Sequence, residues 1–431
     1  MNRRTPSNAR DVAGLSLIEL MIAMVIGLIL LLGLVQVMSA SRSAYQLSTG
    51  VARTQENARF AVDSLQRDIR MAGHLGCVND QARMQTAIPT ASDATREGLN
   101  LWFLTAAERN ARTFDALSDA RFPLRFDMGI QGFEATNTAP GASHALAAGT
   151  PVAGNANQWS PNLPTLISNL GPVAGSDILV VRFLSRDGVP ARFVGSAPPY
   201  TIRPEAYGSS VTTTNSTGLF GLADCSQASV FASNAVDAGT GEVTVAVGGA
   251  ALNKSGVIDD ESGQQRTTSP PVLHRAEGYV YYVARGTGTN VDGTQPPSLW
   301  RARIVINAAG APALDPEELI EGVESMQLLY GMDQNSPNTP PRGNVERMRV
   351  ASAVNAVPTA NPSNAQADEW RRVASVQIGL LMRSSDRASA AQAQQAPRVL
   401  GVQMNPANAS DGLYRSVYET TVVLRNRMFG N

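Results

Sequence analysis

Glu19 is the only formally charged side chain between Leu15 and Met38, in a run made otherwise of apolar or small residues and Gln36. An ionised carboxylate carried into such surroundings costs at least ~2.5 kcal/mol on membrane-insertion scales, so it calls for a partner that neutralises it. The run is long enough, at ~20 residues or more, to cross a bilayer's hydrocarbon core as a helix. Arg3, Arg4 and Arg10 precede it; positive charge stays cytoplasmic, which places everything after Met38 outside.

The two cysteines, Cys77 and Cys225, lie beyond the span and so in an oxidising compartment, where a disulfide is favoured over two separate buried thiols. The bridge would close about 150 residues, nominally ~4 to 5 kcal/mol of chain entropy. No metal is expected, because no Cys-x-x-Cys pair occurs and His74, His144 and His274 are far apart in sequence. The acidic group Asp259-Asp260-Glu261 lacks the spacing of a calcium loop and reads as a solvated turn. Tyr279, Tyr281 and Tyr282 beside Arg285 could stack on carbohydrate or single-stranded DNA, yet alternating aromatics in a strand are more often packing residues. No metalloprotease, nucleophile-elbow, phosphate-loop or dinucleotide motif is present, so neither an enzyme nor a cofactor is expected. With a net charge of -1 and 16% charged residues, nucleic acid is not an expected partner.

The elements that position these residues fall into two parts. Ala44, Leu47, Val51, Ala58, Val62, Leu65, Ile69 and Ala72 recur every three or four residues or at multiples of that spacing, which predicts an amphipathic helix continuous with the apolar run. No proline interrupts Leu15 to Gly73, so one helix of about 59 residues, ~88 Å long, is expected, with Gly73 as its stop. The stretch 88–175 is rich in Pro, Ala, Asn, Ser and Thr and predicts loops and short elements, as in an insertion. Strands are predicted at 177–184, 242–247, 278–283, 299–306, 323–330, 375–382 and 414–425, with a short helical turn at 317–321, and antiparallel pairing is expected among the strands of the last 160 residues.

Gly14-Leu15-Ser16-Leu17-Ile18-Glu19-Leu20 behind a basic leader resembles the start of the type IV pilins. The closing segments Ile320 to Gly331, Arg372 to Arg383 and Thr421 to Arg427 resemble those of PilW-type minor pilins, which are similar to the J-type minor pseudopilins of type II secretion. The resemblance implies an α+β, pilin-like fold, in which a long N-terminal helix packs on an antiparallel β-sheet domain with loop-rich insertions. It implies a prepilin leader over 1–14, a membrane and fibre-core helix over 15–38, the amphipathic half of that helix over 39–73 and an outer domain over 74–431. It further implies cleavage by a prepilin peptidase between Gly14 and Leu15, methylation of the Leu15 amine, and pairing of Glu19 with the N-terminal amine of a neighbouring subunit. Expected partners are other minor pilins, the major pilin, the inner-membrane assembly machinery and, before assembly, the bilayer. The expected place is the inner membrane with the outer domain in the periplasm, then the surface fibre. The chain departs from major pilins at Leu15, where phenylalanine is commonest, and at Gln36, where they usually carry proline. A secretory signal cleaved at Met38-Ser39-Ala40 and a plain anchor compete with this reading, but both leave Glu19 unexplained. At the level of function the alternatives are a J-type pseudopilin and a membrane-anchored adhesin using 88–175.

Overall fold

A computed structural model describes residues 16–77, 99–105, 119–194, 198–205, 218–224, 228–233, 235–254, 271–333, 344–356, 369–387, 395–408 and 410–427. Gly14, Leu15 and Cys225 lie outside these residues.

Helix α1 spans Leu17–Met71, 55 residues or roughly 82 Å. Its start is fixed by Ser16, whose extended backbone and side-chain acceptor cap the first turn. It stops two residues before the expected glycine, and Gly73 takes the left-handed φ of 72° that lets the chain turn away. From Leu17 to Met38 every large apolar side chain is between 52% and 76% exposed. From Thr54 onward one face is buried: Thr54, Ala58, Ala61, Leu65, Asp68 and Ile69. Alanines at 58 and 61 let the helix approach the sheet closely, while Ala44 and Leu47, expected on the same face, remain exposed because docking begins only at Thr54.

The helix docks on a four-stranded antiparallel sheet ordered Arg347–Arg349, Val323–Met332, Val373–Arg383, Arg415–Val423. Ala58, Ala61, Leu65 and Ile69 join Met326, Leu328, Val376, Ile378 and Leu380 in the main core. Beside it lies a twelve-stranded sheet built on two long antiparallel strands, Ile178–Val194 and Val272–Arg285. Each changes partners along its length: Val272–Arg275 pairs with 220–223, whereas Tyr279–Arg285 pairs with Pro297–Ile306. The expected hairpin of 278–283 with 299–306 is therefore present. The strands expected at 323–330, 375–382 and 414–425 also pair antiparallel, while two pairs of strands not expected from sequence, Leu99–Leu101 with 228–230 and 143–146 with 403–406, are parallel. The turn expected at 317–321 is instead the end of strand Pro312–Glu321, where ladder pairing with Pro297–Ile306 overrides the local helical preference of the glutamates.

Within 88–175, Ile130–Ala135 is a strand paired with 178–181 and buried at every residue. Trp102, Phe103, Phe126 and Trp159 are also buried, so the described part of this stretch contributes core.

Asp68 ties the helix to the large sheet. The Tyr281 hydroxyl donates to Asp68 Oδ2 at 2.5 Å, and Arg301 Nη1 lies 3.2 Å from the same oxygen while its guanidinium also pairs with Glu317. Tyr281 and Tyr282 are therefore packing residues, 0% and 1% exposed. Burial first, and then the charge of Asp68, push the Tyr281 hydroxyl above its ordinary value and keep it a donor. Asp68→Ala is expected to lower stability by about 2 kcal/mol, since it orphans a buried hydroxyl and half frees a guanidinium. Urea denaturation of the full chain in detergent measures this, and Tyr281→Phe should recover part of the loss.

Candidate assembly interface

The exposed surface of α1 dominates the molecule's apolar exterior. Its most apolar window has a mean hydropathy of 2.8, and none of it is buried. Leu17 to Met38 spans roughly 33 Å, against a hydrocarbon core of ~30 Å. Apolar side chains point out on all sides of the helix, so they must be covered by lipid or by other helices.

Glu19 sits in the first turn of this helix. Its Oε2 accepts from the Ser16 amide at 3.1 Å, and its own amide donates to Ser16 Oγ at 3.2 Å, a reciprocal capping box. The carboxylate thus has a local partner in addition to the intersubunit amine expected from sequence. Ser16 was readable as a cap, from the Ser-x-x-Glu spacing directly ahead of the apolar run. An acidic residue at this end also complements the helix dipole.

Cys77 follows the helix after the Gly73 turn. His74 Nδ1 bonds to Leu184 O at 2.8 Å and His274 Nδ1 to Ser185 O at 2.9 Å, and the two rings meet edge to face at 6.4 Å. Sequence distance hid this pair, which sheet pairing of 178–194 with 272–285 brings together. Burial lowers the His274 pKa below its ordinary value, so the pair stays uncharged at neutral pH on the His274 side. His144 lies apart, against Gly175. Among the described residues no group of three metal-ligating side chains forms.

A family model described as type IV pilus-assembly protein W matches residues 280–426, and a model of the prokaryotic N-terminal methylation motif matches residues 9–35. No curated protein and no solved structure matches the chain. The first match covers all four strands of the sheet on which α1 docks, and the second runs from residue 9 into the apolar half of the helix. An exposed apolar helix bearing a methylation motif, docked through its other half on a sheet that matches the PilW model, gives this chain both signatures of a PilW-type pilin of a type IV pilus system.

Proposed function

We propose that this pilin is a minor component that primes assembly of type IV pili and sits at or near the fibre tip. A prepilin peptidase cuts the leader 1–14 between Gly14 and Leu15, and the new Leu15 amine is methylated. Residues 15–38 then hold the chain in the inner membrane, the amphipathic half over 39–73 carries the outer domain, and residues 74–431 form that domain in the periplasm. The assembly machinery moves the helix from lipid into a bundle with the helices of other minor pilins and the major pilin. There Glu19 meets the N-terminal amine of a neighbour. The observation that carries this reading is the bare surface of Leu17 to Met38, which has two suitable environments, a bilayer and a helix bundle.

A disulfide between Cys77 and Cys225 belongs to the same proposal. Its support is proximity: a Cβ placed on Gly76 would come within 2.7 Å of Ala223 Cβ, so the neighbours of the two cysteines touch. The bridge would lock the end of α1 to strand 218–223.

Mass spectrometry of the N-terminal peptide from sheared surface fibres tests the function. The expected result is a methylated peptide starting at Leu15, and deletion of the gene should reduce fibre number while leaving major pilin in the membrane. A start at Ser41, or unprocessed chain confined to membranes and absent from fibres, overturns the proposal.

A further inference from the structure

The open edges of the sheets are not alike. The edge strand Pro312–Glu321 carries Pro312 and Pro316, which lack amide donors, together with Asp315, Glu317, Glu318 and Glu321. Proline and charge are the devices by which edges are kept from pairing. The edge Arg347–Arg349 is three residues long and doubly cationic, and the terminal strands Leu99–Leu101, Trp159–Ser160 and Ala235–Val236 are as short or shorter. Arg415–Val423 differs on every count: nine residues, no proline, and Val417, Thr420, Thr421, Val422 and Val423 among them.

Its backbone register shows which groups are open. Leu424 N–H donates to Ala374 O and Tyr414 O accepts from Ser384 N–H, each at 2.8 Å. Alternation then turns the even-numbered residues toward strand Val373–Arg383 and the odd-numbered ones outward. Arg415, Val417, Glu419, Thr421 and Val423 therefore present N–H and C=O groups to the open side, and this strand has one strand neighbour among the described residues. Neither charge on it guards the edge. Arg415 is held by Glu324 and Asp411 at 2.7 Å each, and Glu419 accepts from the Leu400 amide at 2.8 Å.

We propose that the strand Arg415–Val423 is where a β-strand from the outer domain of a different pilin-type subunit adds to this sheet. The inference rests on the assembly reading above, because bundling of helices is what brings a second outer domain alongside. Its placement fits: Gln66 Nε2 donates to Thr420 Oγ1 at 3.0 Å, so the open strand flanks α1. Asn57 Nδ2 donates to Glu321 O at 3.1 Å, and at 100° per residue Asn57 and Gln66 face opposite flanks of the helix. The guarded edge thus lies on the other flank. In a side-by-side, head-to-tail arrangement a second copy of this chain would offer its proline- and acid-bearing edge, a poor donor, so the added strand comes from a non-identical subunit. The added strand would be recognised mainly through its main chain, as in other strand additions.

The full chain, produced in its own cells with a photo-crosslinking amino acid in place of Thr421, tests this, with the same probe at Asp315 as the control. The expected product in sheared fibres is a crosslink from position 421 to an outer-domain peptide of another pilin-type subunit, and none from position 315. Crosslinks only to a second copy, or none at 421, overturn the proposal. Thr421→Pro removes an outward donor and no bond of the chain's own ladder, and is expected to lower fibre content at least about tenfold, whereas Thr421→Val does not. Should the proline variant melt lower than the parent, Thr421→Lys gives the same reading through charge. Fibres that lack the native chain overturn the pilus reading itself. Fibres that hold the native chain and both the Pro and Lys variants equally overturn the edge alone.

Discussion

Glu19→Ala is expected to leave the chain in the membrane and remove it from fibres, and Glu19→Gln to have the same effect. Insertion survives because deleting the carboxylate only makes the span more apolar. Incorporation falls because a helix bundle that buries the neighbour's amine would hold it without a counter-charge, and truncating one member of a buried ion pair costs about 2 to 5 kcal/mol. A loss of at least about tenfold in fibre content follows. The capping box supplies the competing explanation, since Glu19 also accepts from the Ser16 amide. The two separate cleanly. Glutamine retains an acceptor for Ser16 N–H but no charge, while Ser16→Ala removes the Oγ acceptor and keeps the charge, at a cost of about 1 kcal/mol to the helix start. Quantitative blotting of sheared fibres against membranes should show Ser16→Ala incorporated and Glu19→Gln excluded. The reverse pattern would assign Glu19 to the cap and end the intersubunit account.

What was legible in the sequence followed from periodicity, and what was not followed from burial on two faces. Ala58, Leu65, Ile69 and Ala72 showed their face because the other side of the helix is solvated, and all four are fully buried. The same spacing ran on through Ala44 and Leu47 and so overstated the docked length, since periodicity carries no information about where the sheet ends. Val376, Ile378, Leu380 and Met382 were legible by alternation and lie in the main core. Ile130–Ala135 was invisible, being buried on both faces and containing Gly132 and Glu134, so it shows neither alternation nor an apolar run. The assembly helix was the most legible element of all, because its length, its lone acid and its basic leader are each constrained by the bilayer. The edge Arg415–Val423 could be read as a strand, but its openness depends on which strands pair elsewhere, and that is settled only by the fold.

Glu134 itself carries the second large prediction: Glu134→Gln stabilises the outer domain at neutral pH and not at pH 4.5. The carboxyl is 4% exposed, and neither oxygen has a hydrogen-bond partner among the described residues. The Thr138 hydroxyl donates to Ala135 O at 2.7 Å instead, and the nearby Ala351 amide only partly offsets the burial of the carboxyl. Asp177, also buried, is better served, accepting from the Ala135 amide at 2.9 Å and the Leu328 amide at 2.8 Å. Burial first, then the charge of Asp177, push the Glu134 carboxyl up to about 9 from an ordinary 4.5. The folded chain therefore holds a proton that the unfolded chain releases between those values. Stability is full below about 4.5, declines as pH rises, and levels off above about 9. At pH 7 the accumulated cost is on the order of 3 kcal/mol. Glutamine removes the titration at the expense of an imperfectly bonded amide, so a net gain of about 2 kcal/mol is expected at pH 7, disappearing toward pH 4.5. Asp177→Asn should lose about 1 to 3 kcal/mol at pH 4.5 by leaving one of two buried amides without its acceptor, and the loss should shrink toward neutral pH, because burial raises the Asp177 carboxyl to about 7 and the asparagine removes that titration. Urea midpoints of the two variants across pH 4.5 to 9 check both signs. A Glu134→Gln variant whose pH dependence matched the parent's would show that this carboxyl is ionised in the folded chain, with a counter-ion or water at its two bare oxygens.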